Sequence, residues 1–305
     1  MTGWGESAVL PKNDEGLCEM IEGLFVPQFT IFNKDQKVDY AATKEHGAWL
    51  LSKGVSGLVP FGTFGEGSSL SLAEKKRVTT DLLNIVNGKL LIPTIISNSL
   101  AEIQEYLEFA EDLPIAGVMV SPPSYYRPVT DENLIEFYRL IARKTTHPII
   151  AYNIPATVVT ISSSVASQIP IWGVKDSSGI ISSAEDFINK KVKVLVGSDS
   201  LLIQALQKGA SGGICGLGNL FPAQMAEVYR NYRGGRVQEA EETLKFVIDT
   251  VNSFLKPEFV FGDIISAAKE AGKILNNSNL GNMRLPVGDV SLSPDAITKL
   301  KEIKG

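Results

Sequence analysis

Cysteine and histidine are scarce in this 305-residue sequence, which contains two of each. Cys18 and Cys215 lie far apart and in no paired motif, so the sequence predicts buried thiols without a disulfide framework or a thiolate metal site. His46 and His147 lack the spacing of a zinc pair, and we expect structural roles for both. With no metal and no cofactor expected, the chemistry must come from lysine, tyrosine, hydroxyl and carboxylate groups.

The sequence also lacks a concentrated basic run and a long uncharged apolar stretch. Acidic residues outnumber basic residues by 34 to 29, giving a net charge of -5, which argues against a nucleic-acid partner. Residues 1 to 20 show neither a basic region nor an apolar core typical of a secretory signal. No window could cross a bilayer, so we expect no membrane partner and a soluble, cytoplasmic protein.

Eight short apolar segments are present instead, each followed by a helical segment. The predicted strands are residues 24–30, 57–61, 91–95, 116–120, 148–152, 171–175, 192–196 and 212–216. Their even spacing favours an α/β fold, a closed (β/α)8 TIM barrel, over an open doubly wound sheet. No GxGxxG sequence follows the first strand, so the usual dinucleotide fingerprint is missing.

Helix signals divide the rest of the chain. Capping boxes are predicted at the pairs Ser71 and Glu74, Ser99 and Glu102, and Ser182 and Glu185. After Gly234 the strand signals stop, and helices are predicted over 237–255, 257–274 and 293–303. We therefore predict an N-terminal leader (1–22), a barrel carrying the active site (23–233) and a C-terminal helical extension packed on the barrel (234–305).

The functional side chains of such a barrel stand at the C-terminal ends of its strands. Lys175 ends the sixth predicted strand, where desolvation favours an uncharged, nucleophilic amine, and we take it as the candidate Schiff-base nucleophile. An isolated lysine at a strand end more commonly extends its charge into solvent. Tyr152 ends the fifth strand, and its hydroxyl can shuttle protons beside a neutral lysine. The glycine-rich loop 62–67 can offer backbone N–H groups and the Thr63 hydroxyl to a carboxylate.

Three segments carry a resemblance to a known family. They are Gly62-Thr63-Phe64-Gly65-Glu66, Tyr152-Asn153-Ile154-Pro155 and Gly173-Val174-Lys175-Asp176. In order and spacing they resemble the signatures of the dihydrodipicolinate synthase and N-acetylneuraminate lyase family. Its members are (β/α)8 barrels that join pyruvate to an aldehyde, or release pyruvate from a 2-keto acid, through a lysine Schiff base. The resemblance therefore implies a lyase with pyruvate and an aldehyde as partners, assembled as a homotetramer (a dimer of dimers).

The resemblance also implies roles for single residues. Lys175 would form the imine with the C2 carbonyl, and Tyr152 would move protons in imine formation and in carbon–carbon cleavage. Thr63, with the Phe64 N–H, would hold the 2-keto carboxylate, and Tyr125 looks like the family's tyrosine that reaches into a neighbouring subunit's site. The implied substrate-binding lining further includes Gly197, Ile214 and Thr157.

Two positions depart from the family pattern. Phe64 stands where a second threonine is usual, so one hydroxyl is lost. Thr157 stands where dihydrodipicolinate synthases carry an arginine, which argues against a dicarboxylic substrate because a hydroxyl does not replace a bidentate contact. The segment 197–201 instead resembles archaeal 2-keto-3-deoxygluconate aldolases, which also lack that arginine.

The predicted function is a class I aldolase that reversibly cleaves a 2-keto-3-deoxy sugar acid to pyruvate and an aldehyde. Condensation of pyruvate with aspartate semialdehyde, as in 4-hydroxy-tetrahydrodipicolinate synthase, is the first alternative. The Thr63-Phe64 pair also resembles the aromatic hydratase-aldolases of the family. A non-catalytic ligand-binding barrel is a further alternative, which the presence of Lys175, Tyr152 and Thr63 disfavours.

Overall fold

Parallel strands form one sheet that curls into the wall of a barrel. The computed structural model describes residues 21–256, 259–276 and 278–304. Its strands are β1 Gly23–Val26, β2 Gly57–Leu58, β3 Leu90–Leu91, β4 Thr94–Ile95, β5 Val118–Val120, β6 Ile149–Asn153, β7 Gly173–Asp176, β8 Lys193–Val196 and β9 Gly212–Ile214. Every pairing is parallel, in the order β3-β2-β1-β9-β8-β7-β6-β5-β4.

The barrel closes through the segment that contains β3 and β4. On one side Ile92 N donates to Leu58 O (3.0 Å), and on the other Met119 N donates to Pro93 O (2.8 Å). The two short strands are therefore one wall of the barrel, predicted as the single strand 91–95 and interrupted at Pro93, whose nitrogen cannot donate. The predicted (β/α)8 TIM barrel is confirmed.

Proline also shortens the first two predicted strands. β1 ends at Val26 rather than at residue 30, because Pro27 follows it, and β2 ends two residues before Pro60. A proline removes the N–H that would continue the ladder. The residues beyond these ends form the loops that shape the upper face of the barrel.

Eleven helices are assigned within the described residues. They are α1 Tyr40–Ser52, α2 Leu72–Leu83, α3 Leu100–Ala110, α4 Asp131–Ala142, α5 Ser163–Ala166, α6 Ile181–Asn189, α7 Leu202–Gln207, α8 Pro222–Arg233, α9 Val237–Asn252, α10 Phe261–Asn276 and α11 Pro294–Lys304. No helix in these ranges is long and apolar enough to cross a membrane.

The capping predictions have three different outcomes. Ser71 and Glu74 form the predicted box at the start of α2. At α3 only half of the box forms: Ser99 Oγ accepts from Glu102 N, but the Glu102 carboxylate accepts a hydrogen bond from Ser97 Oγ (2.7 Å).

The predicted box of Ser182 and Glu185 is wrong. α6 begins at Ile181, and its N-cap residue, Ile180, makes no side-chain capping bond. Ser178 Oγ accepts a hydrogen bond from Ile180 N (3.2 Å), so the turn after β7 leads into the helix before Ser182 is reached.

The three C-terminal helices form close to their predicted ranges. α9 ends three residues early, and α10 runs over 261–276 rather than 257–274, of which residues 257 and 258 lie outside the described part. Ser293 Oγ accepts from Ala296 N (3.2 Å), as expected for the cap of α11. The division into leader, barrel and extension stays a prediction, and residues 1–20 of the leader lie outside the described residues.

Two apolar clusters make up the core. The larger lies between the strands and the helices, and the smaller fills the barrel interior. Tyr152 belongs to the interior cluster, whereas Ala151 and Val174 belong to the outer one. Because side chains alternate along a strand, Lys175 faces the interior beside Tyr152, its register partner on β6.

Candidate active site

A buried lysine and a tyrosine lie side by side at the upper end of the barrel interior. Lys175, on β7, is only 4% exposed, and its Nζ lies 4.2 Å from the centroid of the Tyr152 ring. No hydrogen bond or ion pair of this Nζ is formed with any residue in the described ranges. The amine is therefore held by packing and by the aromatic face, and its donors and lone pair are left for a ligand.

The Tyr152 hydroxyl continues the site toward the loop after β2. It lies 2.9 Å from Thr63 Oγ1, and either oxygen can be the donor. This contact joins residues 89 positions apart in the chain and gives a hydroxyl pair beside the amine. Such a pair can pass a proton between a substrate and the loop.

Tight backbone packing holds Thr63 in place. Glu66 N donates to Thr63 O (3.1 Å), and Gly67 N donates to Gly62 O (3.1 Å), so the loop folds back on itself. A Cβ on Gly67 would lie 1.6 Å from Phe61 O, so only glycine permits this approach. Glu66 itself adopts a left-handed conformation with φ of 51°.

Gly197, a predicted pocket residue, lies against the Lys175 side chain. A Cβ there would stand 3.1 Å from Lys175 Cε and 1.9 Å from Ser177 Oγ. The missing side chain therefore lets Ser177 and Lys175 approach the Gly197 backbone closely. Ile214 belongs to the interior cluster together with Tyr152.

The Phe64 ring turns toward the loops that follow the neighbouring strands β1 and β9. It packs on Phe29 with ring centroids 5.9 Å apart, and a Cβ on Gly216 would lie 2.5 Å from it. The ring thus fills the space over Gly216, and the Phe64 backbone stays beside Thr63.

The residues that follow Tyr152 and Lys175 connect the ends of β6 and β7 by hydrogen bonds. Asn153 Nδ2 donates to Asp176 Oδ1 (2.8 Å), and the same carboxylate accepts hydrogen bonds from Ser178 N and Oγ. Sequence reasoning assigned no role to this pair, although the β6–β7 register places Asn153 opposite Asp176. These hydrogen bonds fix the position of the Lys175 amine relative to the Tyr152 hydroxyl along the barrel axis.

Asp199 is a second group that sequence reasoning did not single out. Its Oδ1 accepts a hydrogen bond from Leu217 N (2.9 Å), and it follows Gly197 by two residues. Burial raises the pKa of Asp199 to about 6, while backbone hydrogen bonds and then the charge of Lys175 act in the opposite direction. A carboxyl group that titrates near neutral pH therefore lies in the neighbourhood of the amine.

Two predicted site residues stand apart from this cluster. Tyr125 is 81% exposed and packs edge-on against Tyr126, with centroids 5.2 Å apart. Thr157 lies on an exposed turn after β6, where its hydroxyl donates to Ile154 O (3.4 Å). No contact of either side chain with Lys175 is made within this chain's described part.

The metal-ligand residue types are dispersed. Within the described residues, no three or more His, Cys, Asp or Glu side chains form a group that could hold a metal ion. Cys215 is a buried free thiol whose pKa is raised by burial, and Cys18 lies outside the described residues. His46 is buried against Asn219 (3.1 Å), and desolvation lowers its pKa to about 4, while His147 Nε2 lies 3.0 Å from Ala110 O.

Comparisons with known proteins agree with this geometry. Among curated proteins, a DapA-like lyase of Thermococcus kodakarensis is 30% identical over 251 residues, covering 77% of this chain and 86% of the relative. The 4-hydroxy-tetrahydrodipicolinate synthase of Methanopyrus kandleri is 34% identical, with 73% and 77% covered. A probable mitochondrial 4-hydroxy-2-oxoglutarate aldolase of Emericella nidulans is 27% identical, with 75% and 79% covered.

Solved structures share the fold. A variant of 2-keto-3-deoxygluconate aldolase from Sulfolobus solfataricus superposes with a TM-score of 0.82 at 24% identity, covering 92% of this chain and 94% of that one. A dihydrodipicolinate synthase crystal structure gives 0.81 at 26% identity, with 93% and 98% covered. The sequence profile of the Dihydrodipicolinate synthetase family matches residues 20–303. The chain therefore belongs to the dihydrodipicolinate synthetase family of pyruvate-dependent lyases.

Proposed function

We propose that this protein is a class I aldolase that reversibly cleaves a 2-keto-3-deoxy sugar acid to pyruvate and an aldehyde, with Lys175 as the Schiff-base residue. One observation carries the proposal: a buried amine that forms no hydrogen bond or ion pair with the described residues lies against a tyrosine whose hydroxyl is bonded to Thr63. A buried lysine built only for stability would have a partner for its charge.

The chemistry follows from these three side chains. The Lys175 amine attacks the C2 carbonyl through its nitrogen lone pair, and the carbinolamine loses water as the Tyr152 and Thr63 hydroxyls move protons to the departing oxygen. The protonated imine then withdraws electrons from the C3–C4 bond. Tyr152 takes the proton of the C4 hydroxyl, the C3–C4 bond breaks, and its electron pair forms the enamine as the aldehyde leaves. Protonation at C3 and hydrolysis of the imine release pyruvate and restore the amine.

The loop after β2 supplies the binding site for the keto-acid carboxylate. Thr63 and Phe64 are half-buried at the mouth of the barrel. We assign the carboxylate to the Thr63 hydroxyl and the Phe64 N–H, because hydrogen bonds from a fixed loop to an ionised group are strong. The Tyr152 contact of Thr63 then couples carboxylate binding to proton transfer.

Asp199 favours a hydroxylated aldehyde portion. Its carboxyl group lies near Lys175 and titrates near pH 6, so it can accept a hydrogen bond from a sugar hydroxyl when ionised and donate one when protonated. Thr157 at the position of the missing arginine adds no charge. Both features suit a polyhydroxy chain better than a second carboxylate.

One contact favours a second candidate, condensation of pyruvate with a carboxylated aldehyde such as aspartate semialdehyde. Arg127, in the loop after β5, donates from Nη1 to Val158 O (3.3 Å) and therefore places a guanidinium beside Thr157. This exposed cation can compensate in part for the missing arginine.

We also propose the homotetramer implied by the family resemblance. The exposed pair of Tyr125 and Tyr126 is the observation in its favour, because neighbouring exposed aromatic rings are typical of surfaces that a partner covers. In such an assembly Tyr125 would complete a neighbouring subunit's site. A cytoplasmic location stays a prediction.

Trapping with borohydride tests the imine. We expect incubation with pyruvate and borohydride to leave a stable adduct on Lys175, located by peptide mass spectrometry, and no adduct in Lys175→Met. An adduct on another lysine, or none in the folded wild-type protein, contradicts the proposal. Pyruvate release from 2-keto-3-deoxygluconate, measured in parallel with the condensation of pyruvate and aspartate semialdehyde, then separates the two candidates by kcat/KM.

A further inference from the structure

A second buried lysine lies behind the loop that carries Thr63. Lys269, on α10, is 1% exposed, and its Nζ donates to Glu66 Oε1 (2.6 Å), Thr30 O (2.9 Å) and Asn282 O (3.1 Å). All three protons of the ammonium group therefore have acceptors. Glu66 belongs to the same tight loop as Thr63, so a helix late in the chain contacts the loop directly.

Glu66 receives a second bond from the C-terminal part of the chain. Its Oε2 accepts a hydrogen bond from Arg284 N (2.9 Å), and the side chain is almost fully buried. Its backbone is left-handed, a conformation that costs a non-glycine residue free energy and persists only where the surroundings enforce it. The bonds to Lys269 and Arg284 are such surroundings.

A parallel connection runs through Thr30. Its carbonyl accepts from Lys269 Nζ, and its hydroxyl donates to Gly65 O (2.7 Å). Lys269 thus holds the loop at two neighbouring residues, Gly65 and Glu66. Because Glu66 N donates to Thr63 O, a shift of either residue is passed to Thr63, whose hydroxyl meets Tyr152.

We propose that Lys269 is a positioning residue for the active site: through Glu66 and Thr30 it sets the place of Thr63, so that docking of α10 determines how well the loop receives the carboxylate of a 2-keto acid. The inference rests on the proposed imine chemistry. It assigns the C-terminal helices a part in substrate binding, although they lie far from Thr63 along the chain.

Stability alone does not account for such a pair. A buried ion pair is commonly replaceable by apolar residues without loss of stability, whereas removing one partner leaves an uncompensated charge. A double substitution therefore distinguishes a role in positioning Thr63 from a role in stabilising the fold. Lys269→Met/Glu66→Gln removes both charges, so the fold is expected to recover while the connection to Thr63 is lost.

Borohydride trapping with pyruvate measures how well the loop after β2 binds the keto acid, independently of aldehyde turnover. The fraction of protein modified by borohydride is followed as a function of pyruvate concentration for wild type, Glu66→Gln and Lys269→Met/Glu66→Gln. We expect the half-saturating concentration to rise in that order, by about tenfold or more in the double variant, because small displacements of a positioning group have large effects. Thermal melting of the double variant is expected within about 5 °C of wild type.

Lys75 provides a matched control. It is equally buried, on α2, and pairs with Glu102 at 3.7 Å, without a bond to the loop after β2. Lys75→Met is expected to change melting but to keep the wild-type half-saturation with pyruvate. An equal rise in Lys75→Met would overturn the inference, because any buried lysine would then serve.

The outcomes keep the two proposals apart. A folded wild-type protein that yields no adduct overturns the imine chemistry, and this inference with it. Normal trapping in wild type together with unchanged half-saturation in the double variant overturns the positioning role alone. Raised half-saturation in Glu66→Gln, with melting unchanged, supports it even if the double variant fails to fold.

Discussion

Lys175 and Lys269 are both nearly inaccessible to solvent, and their surroundings are opposite. Lys269 donates three hydrogen bonds and faces a carboxylate at 2.6 Å. Lys175 faces the ring of Tyr152, and within the described residues its amine has no hydrogen-bonded partner. Burial is similar, but of these two amines only that of Lys269 is hydrogen-bonded and ion-paired within the described residues.

The difference shows what burial can be used for. Desolvation disfavours the charged form of a lysine unless hydrogen bonds and an opposite charge compensate. Behind the loop the compensation is complete, and the side chain serves as a fixed connector. At the mouth of the barrel no described residue forms a hydrogen bond with the amine, so its nitrogen stays available to a bound substrate.

The largest expected effect is that of replacing each lysine by methionine. Lys175→Met is expected to lower kcat by at least about 10⁴-fold, since it removes the amine that is proposed to form the imine. Its melting temperature is expected to equal or exceed that of wild type, because a buried polar group is removed without leaving a partner unpaired. Pyruvate release and thermal melting measure the two quantities.

Lys269→Met reverses the pattern. It leaves Glu66 buried without its counter-charge and is expected to lower the free energy of unfolding by about 3 kcal/mol. Imine formation at saturating pyruvate is expected to persist. The comparison fails if Lys175→Met unfolds the protein or if Lys269→Met leaves stability unchanged.

The next effect concerns the hydroxyl group of the aromatic ring beside Lys175. Tyr152→Phe keeps the ring under the amine but removes the hydroxyl bonded to Thr63. We expect kcat to fall by about 10²- to 10⁴-fold, the usual contribution of a proton-transfer group, with melting unchanged. Rapid-quench trapping of the imine provides the measurement. A rate close to wild type would move proton transfer to another group.

Local sequence patterns predicted the barrel and the candidate nucleophile. Eight apolar segments at even spacing are enough to indicate the fold, and the strand-end position of Lys175 follows from one of them. Apolar runs alone do not predict where strands end, because Pro27 and Pro60 shorten the first two strands and Pro93 interrupts the third. The capping box predicted at Ser182 does not form, because Ser178 in the preceding turn accepts the hydrogen bond from Ile180 N just before α6 begins.

Contacts between distant residues could not be read in this way. Lys269 and Glu66 are 203 positions apart, and neither residue stands in a spacing that marks the pair. The same holds for Asp199, whose pKa is raised by burial in the folded chain and whose carboxylate accepts a hydrogen bond from Leu217 N. Propensity and periodicity describe neighbours along the chain, whereas these features arise from tertiary packing.

Substitution of Asp199 tests whether its carboxylate is the counter-ion of Lys175, as the Glu66 carboxylate is of Lys269. Its hydrogen bond goes to Leu217 N, so Asp199→Asn is expected to leave the half-saturating pyruvate concentration within about threefold of wild type. KM for a 2-keto-3-deoxy sugar acid is expected to rise by about five- to tenfold, as a charged hydrogen bond to a hydroxyl is lost. Loss of pyruvate trapping would instead make Asp199 the counter-ion of the amine.

The same substitution has a pH-dependent effect on stability. The folded pKa of Asp199, about 6, lies above its ordinary value of 3.8, so its contribution to stability is full below pH 3.8 and is lost as pH rises through 6. Asp199→Asn is therefore expected to be more stable than wild type at pH 8, by up to about 3 kcal/mol. The advantage should vanish near pH 4. Thermal melting at both pH values measures the change, and an advantage independent of pH contradicts the assignment.

The smallest expected effect belongs to an exposed cation. Arg127 is bonded only to the Val158 carbonyl among the described residues, and solvent screens its charge, unlike that of Lys269. Arg127→Met is expected to lower kcat/KM for a carboxylated aldehyde by about three- to tenfold. The kcat/KM for a neutral polyhydroxy aldehyde is expected to stay within about twofold of wild type. The loss should shrink at high ionic strength, because screening weakens only the charged contact. Equal losses for both aldehydes would mean that Arg127 supports the loop after β5 rather than the substrate, and the contact with Val158 O would then no longer favour the dicarboxylate candidate.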